Sequence, residues 1–342
     1  MTAQATNIRV AVVGCGAFGR NHARVYRQLQ QEGAGIEFVG VVDSDSRRAQ
    51  AVATEFGTQS FNSPSDLLGK IDAASIAVPT IHHLSIAREI MESGADVLVE
   101  KPIAATLAQA DELIAAASRS GRVAQVGHLE RFNPAVMATL PLVSRPMFFE
   151  VHRLSVFTPR SLDVDVVMDL MIHDLDVVLS LVKSPVREVH AVGLPVISDK
   201  VDIANVRIEF ETGCVANFTA SRVSTERVRK LRFFQPHEYI SLDYARQDVI
   251  SIRVDERAAA ALLRGEALPA NVGPAPGIAI NKPKVETKEP LRTEIESFLA
   301  SVRSRRTPGV SLEDGRAALA LALQINEAIV KHHRRAGLSQ IS

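Results

Sequence analysis

Val10-Ala-Val-Val-Gly14-Cys-Gly16-Ala17-Phe18-Gly19 decides how this chain folds. Residues 7–13 carry Ile8, Val10, Ala11, Val12 and Val13 with little alternation, the pattern of a short strand buried on both faces. Gly14, Gly16 and Gly19 then fall in G-x-G-x-x-G spacing, and residues 20–30 continue as a helix. Gly14 permits the tight turn out of the strand, Gly16 lets a pyrophosphate approach the backbone, and Gly19 lets helix and strand pack closely. The N-terminus of that helix, with Ala17 and Phe18 in the turn leading to it as further cofactor-binding candidates, offers free N–H groups and a positive dipole end to that phosphate.

A glycine-rich turn alone is weak evidence, and its context decides. A second apolar strand, 37–42, ends in Asp43, 24 residues beyond Gly19. An acid at that point accepts hydrogen bonds from both hydroxyls of an adenosine ribose and repels a 2′-phosphate, which favours NAD over NADP. Arg47 and Arg48 follow closely and suit a phosphate, but the acid carries more weight. The competing role for Asp43 is a cap on the next helix, 46–56.

Further strands are expected at 72–78, 96–99 and 123–126, and helices at 82–92 and 107–118. Alternation of strand and helix on short links means parallel βαβ units and a doubly wound sheet, with ligands outside the carboxyl ends of the strands. Pro79-Thr80-Ile-His-His83, Glu100-Lys101-Pro102 and Gly127-His-Leu-Glu-Arg131 therefore share one rim with the glycine turn. After about residue 145 the pattern changes. A strand at 147–155 and a helix at 165–182 precede strands at 204–210, 214–222, 230–234, 238–244 and 248–254, which imply an antiparallel sheet. Residues 267–288 read as a loop, and 291–303 and 312–332 as closing helices. The fold class is thus α/β: a Rossmann domain over 1–127, then an α+β domain with a large, mainly antiparallel open sheet over 128–342.

The 342 residues exceed one typical domain, and 46% hydrophobic with 23% charged residues is ordinary for a globular protein. Lys plus Arg and Asp plus Glu balance at 39 each, so no global field argues for nucleic acid or an anionic membrane. Cys15 and Cys214 are too few for a disulfide framework. The start lacks the basic-then-apolar pattern of a secretion signal, and no apolar run reaches spanning length, which points to the cytoplasm. Val206, Ile208 and Phe210 on one strand and Cys214, Ala216 and Phe218 on the next leave an apolar sheet face, expected to be buried against a second copy in a homo-oligomer.

Two segments suit proton and hydride chemistry. Lys101 can hold a substrate hydroxyl and stabilise a developing alkoxide, or simply pair with Glu100. Asp169, His173 and Asp176 stand at i, i+4, i+7 inside an otherwise apolar helix and share one face. Either Asp169 and His173 are a plain pair with Asp174 and Asp176 exposed, or His173 is a general base and Asp169 orients it. The cofactor domain favours the second. The spacings of a structural zinc site or a His-Glu-x-x-His pair are missing, so no metal is expected.

With Gly14-x-Gly16-x-x-Gly19, Pro79-Thr80-x-x-His83, Glu100-Lys101-Pro102, Arg131-Phe-x-Pro134 and Asp169-x-x-x-His173-x-x-Asp176 in hand, the chain resembles the Gfo/Idh/MocA oxidoreductases over nearly its whole length. That resemblance implies Lys101, Asp169 and His173 as the catalytic group, with Lys or His as proton acceptor. It implies Pro79, Thr80, His83, Glu100, Lys101 and Arg131 around the cofactor's nicotinamide end. One departure is Met171, where the family usually has glycine, which implies a specialised substrate pocket. Residues 127–136, 169–176, 201–205, 214–222 and 313–316 resemble the subgroup of UDP-N-acetylglucosamine 3-dehydrogenases that prepare a 3-amino sugar for lipid A. In that reading Arg160, Arg222, Arg229 and Lys230 are candidates to neutralise a nucleotide-sugar diphosphate, and a downstream aminotransferase consumes the keto product. The alternatives are inositol, a hexose or a UDP-sugar uronate as substrate, or a noncatalytic NAD-binding sensor.

Overall fold

The structure is a computed structural model that describes residues 7–158, 164–254, 260, 264–265 and 278–338. The chain divides into two compact units, residues 1–129 with 289–319 and residues 130–288 with 320–342.

The first unit is built on six parallel strands: β1 (Ile8–Val13), β2 (Ile36–Val42), β3 (Gln59–Phe61), β4 (Ala73–Ile76), β5 (Asp96–Glu100) and β6 (Ala124–Gly127). Their order is β3-β2-β1-β4-β5-β6. Strand order reverses between β1 and β4, and a ligand crevice opens at such a switch point. The helices α1 (Ala17–Gln31), α2 (Ser46–Phe56), α3 (His83–Glu92) and α4 (Leu107–Ser120) start and stop where local chemistry dictates. Asp45 caps α2 by accepting the N–H groups of Arg47 and Arg48, and Gly57 ends it at φ 60°. Thr106 and Gly121 do the same for α4. The cap on α2 is therefore Asp45, which leaves Asp43 for another role. β3 had no sequence signal: three residues at a sheet edge are too few to show a period.

Helix α7 (Pro290–Ser304) also belongs to this unit. Its stripe of Leu291, Ile295, Phe298, Leu299 and Val302 enters one core with Val10, Val12, Tyr26, Leu29 and Phe38. Arg292 pairs with Glu32 at 2.5 Å, and Arg24 pairs with Glu289. The unbroken second domain over 128–342 thus differs from the structure at 289–319, because that apolar stripe finds its partners far back in the sequence.

The second unit holds eight strands, β7 (Phe148–Val156), β8 (Val186–Leu194), β9 (Ile203–Phe210), β10 (Val215–Ser224), β11 (Val228–Gln235), β12 (Glu238–Asp243), β13 (Asp248–Val254) and β14 (Ile278–Asn281). The order is β14-β13-β12-β11-β7-β10-β9-β8, antiparallel throughout except for the β7–β10 pair. β14 lies within the stretch read as loop. The helix read over 165–182 is a π turn, Val167–Met171, followed by α6 (Ile172–Val182). A short helix α5 (Pro134–Thr139) and the later part of α8 (Leu312–Ala336) complete the unit.

One expectation is corrected here. Val206, Ile208, Phe210, Cys214, Ala216 and Phe218 do not form an open face; each is at most 1% exposed within the single chain. The π turn lies against β10. The opposite face is polar. Asn205 donates to Thr219 at 3.0 Å, Arg207 to Asn217 at 3.3 Å, and Arg232 pairs with Glu150 at 3.8 Å. Phe148, Phe234 and Tyr239 add a chain of rings with centroids 5.6 and 5.1 Å apart.

Candidate active site

The glycine turn separates its three roles in measurable terms. Gly14 has φ +97°, and a Cβ there would stand 2.4 Å from the Ala77 carbonyl oxygen at the end of β4. A Cβ on Gly19 would stand 1.7 Å from the Gly14 oxygen. Both glycines are demanded by the protein's own backbone. Gly16 is different: nothing lies within 4 Å of the Cβ position. The space is open where a pyrophosphate would come, and α1 begins there with no side-chain cap and no acid in its first turn.

Asp43 sits at the carboxyl end of β2, buried, and faces this turn. Its Oδ2 accepts the Cys15 N–H at 2.7 Å and its Oδ1 the Asp45 N–H at 2.9 Å. Arg48 stands 3.6 Å away. The carboxylate is thus held in place, with a further lone pair on each oxygen for ribose hydroxyls. Burial, together with the Asp43 charge, pushes the neighbouring Cys15 thiol up to about 12.

The rim continues after β4. Pro79 precedes a 3₁₀ turn at Thr80–His82, whose Thr80 carbonyl accepts the His83 N–H. His83 is buried, its ring nitrogens 2.9 Å from the Val78 oxygen and 3.0 Å from the Pro102 oxygen. Burial pulls its pKa below the ordinary histidine value. Its ring thus lies between the ends of β4 and β5, with both nitrogens turned to backbone oxygens. Glu100 also faces inward. One oxygen meets His22 Nε2 at 2.9 Å and the other accepts the Lys101 N–H at 3.2 Å. Lys101 itself is half-buried at the end of β5 and precedes a cis bond to Pro102.

In the second unit, Asp165 caps the π turn by accepting the N–H groups of Val167 and Met168, both at 2.9 Å. The π turn carries Asp169 and leads directly to His173; both are half-buried. Such turns insert one extra residue into a helix and recur at functional sites. Asp174 and Asp176 are 1% exposed, so the reading that leaves them in solvent does not hold. Asp174 takes two hydrogen bonds from Arg153, at 2.5 and 2.9 Å, and Arg153 reaches Glu130 at 3.0 Å. Arg131 Nη1 lies 3.4 Å from Asp176. Sequence reasoning missed this Arg153–Asp174–Glu130 cluster, although an Asp on the apolar side of a helix requires a partner.

The candidate diphosphate cations fare unevenly. Arg222 is 5% exposed, its guanidinium donating to the Val164 carbonyl and facing Asp202 at 3.7 Å; it is an internal strut. Lys230 pairs with Asp243 at 4.0 Å. Burial and the Arg153 charge lower the Arg229 pKa. Arg160 lies outside the described residues. No helix among the described residues is long and apolar enough to cross a membrane.

A glycine turn with open space at Gly16, a buried acid at the β2 end and a lysine at the β5 end suit a dinucleotide-dependent oxidoreductase. Residues 8–128 match the oxidoreductase family with an NAD-binding Rossmann fold, GFO/IDH/MocA, and residues 146–235 match its C-terminal domain. The chain is 35% identical to UDP-N-acetylglucosamine 3-dehydrogenase of Acidithiobacillus ferrooxidans over 94% of its own length and 97% of that protein's. A solved structure of that enzyme superposes with a TM-score of 0.84 at 34% identity, covering 94% of this chain and 98% of that one. Inositol 2-dehydrogenase 1 of Saccharopolyspora erythraea is 27% identical over 92% of each chain. The chain belongs to the Gfo/Idh/MocA family, and it is an NAD-binding oxidoreductase.

Proposed function

We propose that this protein is an NAD-dependent sugar dehydrogenase that oxidises the 3-hydroxyl of UDP-N-acetylglucosamine to the 3-keto sugar. The observation that carries this reading is the 35% identity, spread over 94% of the chain, to a UDP-N-acetylglucosamine 3-dehydrogenase. Asp43 at the β2 end supports NAD over NADP. The glycine turn with the N–H groups of Ala17 and Phe18 holds the pyrophosphate. Asp43 holds the adenosine ribose. Pro79 and Thr80 line the nicotinamide end, with His83 bracing them from beneath.

Bound NAD supplies the hydride acceptor for C3. The chain supplies the proton chemistry: His173, or Lys101, takes the hydroxyl proton as the C3–H bond breaks, and the Lys101 ammonium stabilises the developing alkoxide. Asp169 orients His173. A 3-keto nucleotide sugar is reactive, and an aminotransferase acting on it is the fitting next step. We also propose a homo-oligomer through the polar and aromatic sheet face of Phe148, Phe234 and Tyr239; sedimentation at micromolar concentration checks it, and a monomer alone contradicts it.

The likeness to an inositol dehydrogenase favours a second reading, a polyol as substrate. Calorimetry with UDP alone separates the two. A UDP-sugar enzyme binds UDP and turns over UDP-N-acetylglucosamine; an inositol enzyme does neither and reduces NAD with inositol.

A further inference from the structure

His22 lies on the buried stripe of α1, 0% exposed, with Ala23, Tyr26 and Leu29. Its Nδ1 is 3.0 Å from Ser75 Oγ on β4, and that hydroxyl is 2.8 Å from the Tyr26 hydroxyl. Its Nε2 is 2.9 Å from Glu100 Oε1, and Glu100 Oε2 accepts the Lys101 N–H. A carboxylate accepts, so Nε2 donates to Glu100, and the Ser75 and Tyr26 hydroxyls continue the row on the Nδ1 side. Burial pushes the Tyr26 phenol up.

We propose that His22 is a positioning residue for the dehydrogenase reaction: through the Glu100 carboxylate it fixes the backbone at Lys101 from inside the sheet. This rests on Lys101 being the alkoxide-stabilising group. Glu100 is then a brace and not a contact of the cofactor. Glu294, also buried, brings a second carboxylate within 4.8 Å of the His22 and Glu100 ligating atoms. That trio has the composition of a cation site. However, a His22–Glu100 separation of 2.9 Å is a hydrogen bond's length, shorter than two ligands spaced tetrahedrally around a zinc ion, about 3.3 Å apart.

The test compares the full-length wild type with His22→Leu, His22→Gln and Glu100→Gln. Three readouts apply: turnover, NADH affinity by its fluorescence, and the melting curve. Leucine should lower kcat roughly 10- to 100-fold and leave NADH affinity within about threefold, since misplacing one catalytic group acts on the reacting step. Glutamine places an amide N–H near the Nε2 position and should restore most of that loss. Glu100→Gln should lower kcat like the leucine variant. A His22→Leu kcat within threefold of wild type overturns the proposal, and so does a loss of NADH affinity matching the loss in kcat. Long-range proton–nitrogen NMR of the wild type adds a readout free of turnover and of variant folding. It should find a proton on His22 Nε2; an Nε2 without a proton, or a stoichiometric bound metal, overturns the assignment. A wild type inactive on every sugar counts against the function and leaves this proton assignment standing.

Discussion

The Asp43 carboxylate accepts the Cys15 backbone N–H at 2.7 Å, which ties the end of β2 to the middle of the glycine turn. In the proposed function the same group accepts the ribose hydroxyls and repels a 2′-phosphate. Asp43→Ser should weaken NAD binding about tenfold and raise the relative use of NADP, because Arg48, now 3.6 Å from Asp43, becomes available to a phosphate. Paired titrations with NADH and NADPH check this; an unchanged ratio contradicts the ribose role.

Two glycines of one motif should respond in opposite ways. Gly16→Val puts its Cβ where nothing lies within 4 Å and should change the melting temperature far less than Gly19→Ala does, while abolishing NADH binding. Gly19→Ala drives a methyl to 1.7 Å from the Gly14 oxygen and should destabilise the first unit by several kcal/mol. Melting curves with and without NADH separate the two.

Both thiols should be silent. Cys15 and Cys214 are 4% and 0% exposed, and burial raises them to about 12 and about 11, the Cys15 shift aided by Asp43. Thiolate is the reactive form. Ellman's reagent at pH 8 should therefore react only as fast as the protein unfolds, and a rapid stoichiometric burst would contradict the packing of the glycine turn.

Asp202 sets an acid limit on the second unit. Burial alone would raise its carboxyl, but the N–H groups of Ile197, Val196 and Ser198, with the Ser198 hydroxyl, outweigh this and hold it at about 2 against an ordinary 3.8. A carboxylate with a lower folded than unfolded pKa adds stability above the unfolded value and loses it as pH falls through the folded one. Asp202→Asn should cost about 2 kcal/mol at pH 7, with the gap to wild type closing between about pH 4 and pH 2. Urea unfolding across that range measures it; a gap constant with pH would contradict the charge-based account.

What the sequence disclosed was largely what neighbours in the chain decide. The α2 boundaries at Ser46 and Phe56 followed from residues on either side. The placement of the glycine turn, Asp43 and Lys101 at strand ends was legible because short motifs mark it. β3 and the docking of α7 on β1 and β2 were not, since pairings of distant segments leave no local period. The lining of β9 and β10 was correctly seen as apolar, but it is buried within the same chain. Arg222 falls in phase with Ala216, Phe218 and Ala220, and a period of two turns it inward. His22 was equally readable, a histidine on the apolar stripe of α1.

The most direct measurement follows NADH absorbance with the protein, NAD and UDP-N-acetylglucosamine, an aminotransferase and glutamate consuming the keto sugar. Wild type should produce NADH steadily, and Lys101→Ala should lose at least 10²-fold of that rate, roughly the scale of one removed charge-stabilising group, while binding NADH as before. A flat wild-type trace despite NADH binding, or full activity in Lys101→Ala, would contradict the proposed reaction.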